Sequence, residues 1–365
     1  MPPFYSKIAS IVFEWCRPGT TSPPDLPDNP ELASQLFDFA ARNGVAPWFY
    51  FQLNKKLDKG VQLPREIENK FRMQYLQTLV MNQQKWKVFG DINFLAQQHG
   101  IKIIPLKGTA LAFTLYPQES LRPMGDIDIL LPENQIEKFK EIMYRNGAQQ
   151  LYAPISQLHA KVNAHVPAIR WQNIMIEPHQ RLFALGNPLN PDSIDLFAHT
   201  THPPNQSDIL IFDDIMQTYH LAAHAFKGFQ MGGMRLGWLL DIALVLKRNV
   251  SDPEFINKVI ALNPTSKKQI ESAIYWSSLL LKDVPWHIHP SVPFPDEAIF
   301  HREVETEKKH KFIVLREISR LSGIHKKILM LFREFFPEKA YMDQQYGRHR
   351  GFSLLKLYFR RISGF

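Results

Sequence analysis

A change of hydrophobic pattern near residue 100 is the feature that most constrains how this 365-residue chain folds. Before it, apolar residues recur at helical spacing, and residues 64–99 predict one long helix that ends at Gly100. After it come short runs rich in β-branched residues, such as 101–106 and 127–131, which are typical of strands. Short strands with a helix between them predict a small α/β sheet domain within a largely helical chain.

The rest of the sequence continues in these two patterns. Further predicted helices have apolar residues at helical spacing: 108–115, 134–146, 214–247, 252–281 and 303–336. Further predicted strands are short: 148–152, 159–166 and 173–179. The predicted fold is α+β, and its parts follow one another: an N-terminal helical region at 1–100, an α/β core at 101–205, a helical region at 206–284, a proline-rich linker at 285–300 and a basic helical tail at 301–365.

The positive charge of the chain is concentrated in its last part. Residues 301–365 hold 15 Lys and Arg against 7 Asp and Glu, and their net charge of +8 equals that of the whole chain. We expect either an anionic partner for this tail, such as nucleic acid, a phosphorylated substrate or a membrane surface, or a solvated helical face. The amphipathic segment 354–361 is either a surface for such a partner or a C-terminal helix packed on the domain.

The cysteine and hydropathy content indicate a cytoplasmic protein. The single cysteine, Cys16, excludes a disulfide framework and is expected to be a small buried residue. No apolar run is long enough to span a bilayer, so we predict no transmembrane segment, and the N-terminal residues lack the pattern of a signal peptide.

Two carboxylates, Asp126 and Asp128, lie two residues apart at the start of a predicted strand. Residues at i and i+2 of a strand lie on the same side, so the two carboxylates would repel one another unless a cation lies between them. Mg²⁺ prefers such oxygen ligands together with substrate phosphates. A pair of strand-end or turn carboxylates without a ligand is the alternative interpretation.

A turn suited to phosphate lies some twenty residues upstream of the carboxylates. A predicted strand ends at Lys107 and Gly108, and a helix begins there. The glycine allows close approach of the backbone to a ligand, and a helix N-terminus attracts phosphate. Lys107 adds a compact positive charge. We expect the backbone N–H groups of Gly108 and Thr109 to contact phosphate.

These segments together resemble a known family. The stretch 105–117 reads PLKGTALAFTLYP, and 121–131 reads LRPMGDIDILL. This signature is similar to that of the bacterial nucleotidyltransferase-like family within the DNA polymerase β superfamily. Members have a third carboxylate on a later strand, and residues 176–180 read IEPHQ at that place. The resemblance extends from about residue 40 to about residue 340.

The resemblance implies a polymerase-β-like core and transfer of a nucleotidyl group from an NTP such as ATP by two Mg²⁺ ions, or Mn²⁺ in their place. By resemblance, Asp126, Asp128 and Glu177 would be the catalytic metal ligands. Glu177 departs from the Asp of the family, and the proline that follows it favours a strand at the sheet edge. Lys107, Gly108, Thr109, Arg122, Gly125 and His179 would then bind the nucleotide.

Several residues have alternative interpretations. Arg122 is either a second phosphate ligand or half of a salt bridge that holds its loop. His220 and His224 share a helix face, either as interior histidines or as contacts to a nucleotide. Asp241 is expected to bond a neighbouring helix rather than a metal.

Three functions of different class therefore remain open. The first is an Mg²⁺-dependent nucleotidyltransferase whose hydroxyl acceptor is a sugar, a small molecule, a protein or an RNA. The second is a nucleotide- or partner-binding module that keeps the fold without turnover, which the Glu177 departure favours. The third is an RNA- or membrane-binding adaptor that acts through the basic tail.

Overall fold

The computed structural model describes residues 6–55, 62–191, 193–282, 284–301, 318–347 and 356–359, together with Leu315. The chain forms two compact units, each assembled from three separated segments. The first consists of Met1–Phe89, Pro105–Gly125 and Pro191–Thr306. The second consists of Gly90–Ile104, Asp126–Asn190 and Glu307–Phe365. The consecutive parts drawn from the sequence stay predictions.

The described helices are named in chain order: α1 (Lys7–Cys16), α2 (Pro30–Arg42), α3 (Ala46–Asn54), α4 (Arg65–Gln98), α5 (Lys107–Thr114), α6 (Ile136–Arg145), α7 (Gln157–Val162), α8 (Asp214–Gln230), α9 (Leu236–Arg248), α10 (Phe255–Ala261), α11 (Lys267–Ser278), α12 (Ala298–His301), α13 (Ile324–Phe335) and α14 (Lys339–Tyr346). The described strands are β1 (Ile104–Pro105), β2 (Ile127–Leu130), β3 (Gln149–Gln150), β4 (Ile169–Trp171), β5 (Ile174–His179), β6 (Thr200–Thr201) and β7 (Ile211–Phe212). The mixed α and β content confirms the predicted α+β class.

The first unit is mainly helical and is held by aromatic packing. Trp15 of α1 stacks on Phe49 of α3 at a centroid distance of 5.0 Å, and Phe49 stacks on Phe71 of α4 at 4.8 Å. The helices α8, α9 and α11 pack on one another, and β6 and β7 form a short antiparallel pair. Large aromatic side chains bury much apolar area each, so these stacks contribute to the core of this unit.

The second unit is built on one mixed sheet. Its strand order is β1-β2-β5-β4-β3, with Ile104 of β1 at one edge. The strands β2 and β5 run parallel, whereas β5, β4 and β3 are antiparallel neighbours. Every residue of β2 is buried, and the helix α6 buries Phe139, Ile142 and Met143. A strand buried on both faces is held rigidly, which matters because β2 carries Asp128.

The position of β5 corrects one expectation. The proline at 178 predicted an edge strand, but β5 lies between β2 and β4. The carbonyl of Pro178 accepts a hydrogen bond from Val166, and the next carbonyl, of His179, accepts from Leu131 after β2. Alternate residues face opposite edges of a strand, so the missing N–H of Pro178 faces residue 166 rather than β2. The parallel pairing therefore tolerates the proline.

The segment 159–166 also differs from its prediction as a strand. Residues Gln157–Val162 form α7 because the Ser156 hydroxyl caps the helix by accepting a hydrogen bond from the His159 N–H at 3.3 Å. Of the predicted strand, His165 alone forms an isolated bridge, and it pairs with His179. The cap residue outside the predicted strand therefore decided the local structure.

Two later predictions are refined. The helical region 214–247 is divided into α8 and α9, and Gly232 between them adopts a φ of +86°, which a helix cannot continue through. The proline-rich segment 285–300 lies within the first unit. The Trp276 indole donates to the Val292 carbonyl, and the Trp286 indole donates to the Asp252 carbonyl.

The basic tail is described in part. Residues 302–314, 316, 317, 348–355 and 360–365 lie outside the described residues, and with them 14 of the 34 residues of the predicted helix 303–336 and four of the eight residues of the segment 354–361. The described part of the former includes α13, and residues 356–359 of the latter are helical. Among the described residues, no helix combines the length and the apolar character needed to cross a bilayer.

Candidate active site

The pairing of β2 with β5 brings two carboxylates side by side. In the parallel register Asp128 is the direct partner of Glu177, and Leu130 is the partner of His179. Residues in register on adjacent strands lie on the same face of a sheet. Asp128 and Glu177 therefore occupy one face at the centre of the sheet.

His179 completes this group because it follows Glu177 by two residues on the same strand. Its Nε2 lies 2.9 Å from Oδ1 of Asp128 and 4.0 Å from Oε2 of Glu177. One ligand atom from each of the three residues lies within 4.8 Å of the others. The side chains of Asp128 and His179 are buried, while that of Glu177 is 24% exposed. Two members of the group, Asp128 and His179, are thus buried, and the third, Glu177, is accessible to solvent.

The chemistry of this donor set fits a divalent cation. Two carboxylates held close together disfavour joint ionisation unless positive charge balances them. Carboxylate oxygens suit Mg²⁺ and Mn²⁺, and an imidazole nitrogen suits transition metals. Because Nε2 of His179 is already engaged with Asp128, the imidazole is placed to orient one carboxylate oxygen of Asp128, a role that hydrogen-bond partners of ligands have in metal sites.

Asp126 lies just before this group along the chain. It precedes the first residue of β2 and is half-buried in a bend. The group of three donors found among the described residues does not include it. Its proposed role as a metal ligand stays a prediction.

His165 is a residue near the group that the sequence did not single out. It is the direct antiparallel neighbour of His179, and the two imidazole rings meet edge to face at a centroid distance of 5.5 Å. The Nδ1 atom of His165 lies 3.4 Å from the carbonyl of the next residue, Val166. No local sequence pattern marks His165. Its pairing with His179 follows from the way the chain between the two residues folds back.

A small cavity adjoins this side of the second unit. Its volume is about 190 Å³, and its lining includes Tyr152, Asn163, His165 and Tyr341. Burial raises the pKa of the Tyr152 phenol, and the negative charge of Glu177 adds to this rise. Glu177 therefore lies within electrostatic range of the Tyr152 phenol, one of the side chains that line the cavity.

The residues predicted to bind phosphate belong to the first unit. Lys107 begins α5 with a φ of 48°, and a Cβ atom on Gly108 would lie 3.0 Å from the side chain of Met124. The backbone N–H of Thr109 donates to the carbonyl of Leu106 at 3.1 Å. Its hydroxyl is buried and has no hydrogen-bond partner within the part of the chain that the structure describes. A phosphate role for these three residues stays a prediction.

Arg122 makes the ion pair that the sequence offered as its alternative interpretation. Its Nε and Nη2 donate to the carboxylate of Asp241 at 2.8 Å each, and Nη1 donates to the Pro123 carbonyl. The Tyr116 hydroxyl also donates to Asp241, at 2.7 Å. Burial raises the pKa of Asp241, and the Arg122 guanidinium opposes that rise. Burial and the Asp241 charge raise the pKa of Tyr116 well above its usual value, so its phenol remains a donor.

Side chains of α4 donate hydrogen bonds to the main-chain carbonyls of the same loop. Asn82 Nδ2 donates to the carbonyls of Glu119 and Arg122, and Lys85 Nζ donates to the carbonyl of Met124. Asn82 and Lys85 are buried and lie about one helical turn apart. The loop ends at the exposed Gly125, where a Cβ atom would meet no atom within 4 Å. The segment that leads to Asp126 is therefore fixed from two helices of the first unit, α4 and α9.

The two histidines of α8 lie among aromatic rings of the first unit. His220 is buried with its ring 6.0 Å from Phe212, and His224 meets Trp238 edge to face at 4.7 Å. These contacts correspond to the interior interpretation of the pair.

A small mixed sheet with two carboxylates and a histidine on one face defines this chain as a protein with a candidate metal-binding active site. The chain belongs to the family described as uncharacterised nucleotidyltransferase, whose family model matches residues 29–272. The matched residues include both the 105–131 motif and the strand that carries Glu177 and His179. The family predicted by resemblance is thus confirmed. Searches of curated proteins and of solved structures found no match.

Proposed function

We propose that this chain is a divalent-cation-dependent nucleotidyltransferase with a polymerase-β-like core. It moves a nucleoside monophosphate from an NTP to a hydroxyl acceptor. The observation that carries the proposal is the side-by-side placement of Asp128 and Glu177 on parallel strands in a chain of a nucleotidyltransferase family.

The carboxylates have the role of cation ligands in this proposal. Asp128 and Glu177 would hold Mg²⁺ or Mn²⁺, and Asp126 is the third ligand, in a two-metal arrangement. When bound, these cations supply positive charge that stabilises the phosphates and the leaving pyrophosphate. His179 holds Asp128 in one orientation through its Nε2 atom.

The reaction exchanges one phosphorus–oxygen bond for another. The bond from the α-phosphorus to the pyrophosphate oxygen breaks, and a bond from the α-phosphorus to the acceptor oxygen forms. The acceptor hydroxyl proton passes to a carboxylate oxygen, for which the accessible Glu177 is our candidate. Lys107, Gly108, Thr109 and Gly125 are the proposed contacts to the phosphates.

Label transfer tests this function. The full chain is incubated with each α-labelled NTP and with Mg²⁺ or Mn²⁺, in the presence and in the absence of cell extract. We expect label on a protein, an RNA or a small molecule, and none with the Asp126→Asn/Asp128→Asn double variant. Asp25→Asn, at an exposed aspartate of the first unit, is the matched control and should keep full transfer. Equal labelling by the double variant and the parent chain would refute the proposal.

A binding module without turnover is the second candidate, and one contact favours it. Nε2 of His179 lies at hydrogen-bond distance from Asp128 Oδ1, so a cation at that oxygen would have to share it with the imidazole. In this case NTP binding persists while label transfer is absent with every NTP. Equilibrium dialysis with the same labelled NTPs separates the two candidates.

A further inference from the structure

The helix α13 carries an apolar face that is directed away from the unit to which it is attached. Ile324, Ile328 and Phe332 are 61%, 60% and 49% exposed, and Leu329 and Leu331 are exposed as well. Single exposed apolar residues are ordinary on protein surfaces, whereas a contiguous apolar patch indicates an interaction site. Five such residues within twelve form a patch of this kind.

The opposite side of α13 is anchored to the second unit. Met330 packs in a buried cluster with Val162, Ile318 and Leu321. Glu334 is buried and lies 2.9 Å from Nε2 of His159 on α7. These contacts fix the rotation of α13 about its own axis.

The rotation settles which residues face outward. Two residues correspond to about 200° around an α-helix. Ile328 precedes the buried Met330 by two residues, and Phe332 precedes the buried Glu334 by two. Ile328 and Phe332 therefore lie opposite the anchor, and the rotation that would bury them would expose Met330 and separate Glu334 from His159.

The charged residues of α13 indicate which kind of partner its exposed face fits. Lys326 and Arg333 lie beside the apolar face, and the sole acidic residue of the helix, Glu334, faces inward to His159. The tail 301–365 carries the entire net charge of the chain. A partner that is both apolar and anionic satisfies both features. Nucleic acid would satisfy the charge but would leave Ile324 and Ile328 in water.

We infer that α13 docks on an anionic phospholipid surface, with Ile328 and Phe332 in the acyl boundary and Lys326 and Arg333 at the headgroups. Helices that lie in the membrane interface combine these features: an apolar face, cationic borders and little acidic charge. The exposed residues of α13 do not include Asp128, Glu177 or His179, and the inference is independent of the proposed reaction.

Vesicle flotation of the full chain tests the inference. We expect binding to phosphatidylcholine vesicles that contain phosphatidylglycerol, weak binding to phosphatidylcholine alone, and loss of binding as salt rises. Phe332→Ser and Ile328→Ser should each weaken binding roughly tenfold, because each removes a large apolar side chain from the lipid. Phe94→Ser is the matched control, since Phe94 is 60% exposed on the part of α4 that belongs to the second unit, and it should leave binding unchanged.

A second pair of variants tests the contribution of positive charge to vesicle binding. Lys326→Gln should weaken binding about fivefold, as expected for one cation near an anionic surface. Lys102→Gln, at an exposed lysine of the same unit, should not. Circular dichroism melting curves establish that each variant is folded.

Three outcomes would overturn the inference. The first is absence of vesicle binding, or equal binding by Phe332→Ser and Phe94→Ser. The second is binding of a single-stranded RNA that survives Phe332→Ser while vesicles are not bound, which assigns the tail to nucleic acid. The third is a halving of the mass in light scattering on Phe332→Ser, which makes the face an interface between copies of the chain.

Discussion

Glu177 is the direct neighbour of Asp128 across two parallel strands, so the spacing of their carboxylates is set by the register of the sheet. A slip of one residue would move Glu177 to the opposite face and separate the pair. The site is therefore as rigid as the strands that carry it. The contact of His179 Nε2 with Asp128 Oδ1 at 2.9 Å depends on the same register, because His179 lies two residues beyond Glu177 on β5.

Substitution of the carboxylates separates function from fold. Asp128→Asn should reduce nucleotidyl transfer by at least roughly a hundredfold, because a neutral amide no longer holds a cation at the transferred phosphate. Asp126→Asn should behave alike. The melting temperature should be unchanged or slightly higher without metal, since repulsion between the carboxylates falls. Full transfer by either variant, measured by label incorporation, would contradict the two-metal proposal, whereas a mild loss in Glu177→Gln would assign it a peripheral role.

Metal binding has a readout that is independent of activity. Mn²⁺ at a hundred times its dissociation constant should raise the free energy of unfolding by about 2.7 kcal/mol, seen as a higher melting temperature that EDTA reverses. The Asp128→Asn/Glu177→Gln double variant should lose this shift, and Asp25→Asn should keep it. An equal shift in all three proteins would mean that the cation binds elsewhere.

Arg122 and Asp241 are expected to stabilise the first unit jointly, so that the effect of substituting one depends on the presence of the other. Asp241→Ala leaves a largely buried guanidinium without its carboxylate, so the free energy of unfolding should fall by about 3 kcal/mol in urea titration. Arg122→Met/Asp241→Leu removes both charges and should recover much of that loss. Strict additivity of the separate substitutions would show that the two side chains do not act together.

Cys16 is expected to be unreactive in the folded chain. It is fully buried, and burial raises the pKa of its thiol, so little thiolate is available near neutral pH. Iodoacetamide should modify it slowly in the native protein and rapidly in urea, as followed by intact-mass spectrometry. Rapid native labelling would show that the first unit opens around α1.

Much of the fold followed from local pattern. The long helix α4, the short strands around Asp128 and Glu177 and the turn at Lys107 agree with the hydrophobic period of their own residues. The family motif pointed to Asp128 and Glu177 as metal ligands and to His179 as a nucleotide contact, and the structure groups these three on one sheet face, whereas Asp126, the other predicted ligand, is not in the group. Each of these features depends on neighbours in sequence.

The structure differs from the sequence-based predictions where residues outside the local segment determine the conformation or the strand pairing. Pro178 reads locally as an edge residue, but the direction of its missing N–H depends on which segment lies on each side of β5. The segment 159–166 reads as a strand, but a serine before it caps a helix. His165 could not be selected because its register with His179 is a long-range property.

The hold of α4 on the loop before Asp126 acts on main-chain oxygens, those of residues 119, 122 and 124. Every amino acid has a carbonyl oxygen, so these three contacts do not require particular side chains at residues 119 and 124. Arg122 differs, because its guanidinium also binds the carboxylate of Asp241. Substitutions at Glu119 or Met124 should therefore change what the loop presents while leaving these main-chain contacts in place.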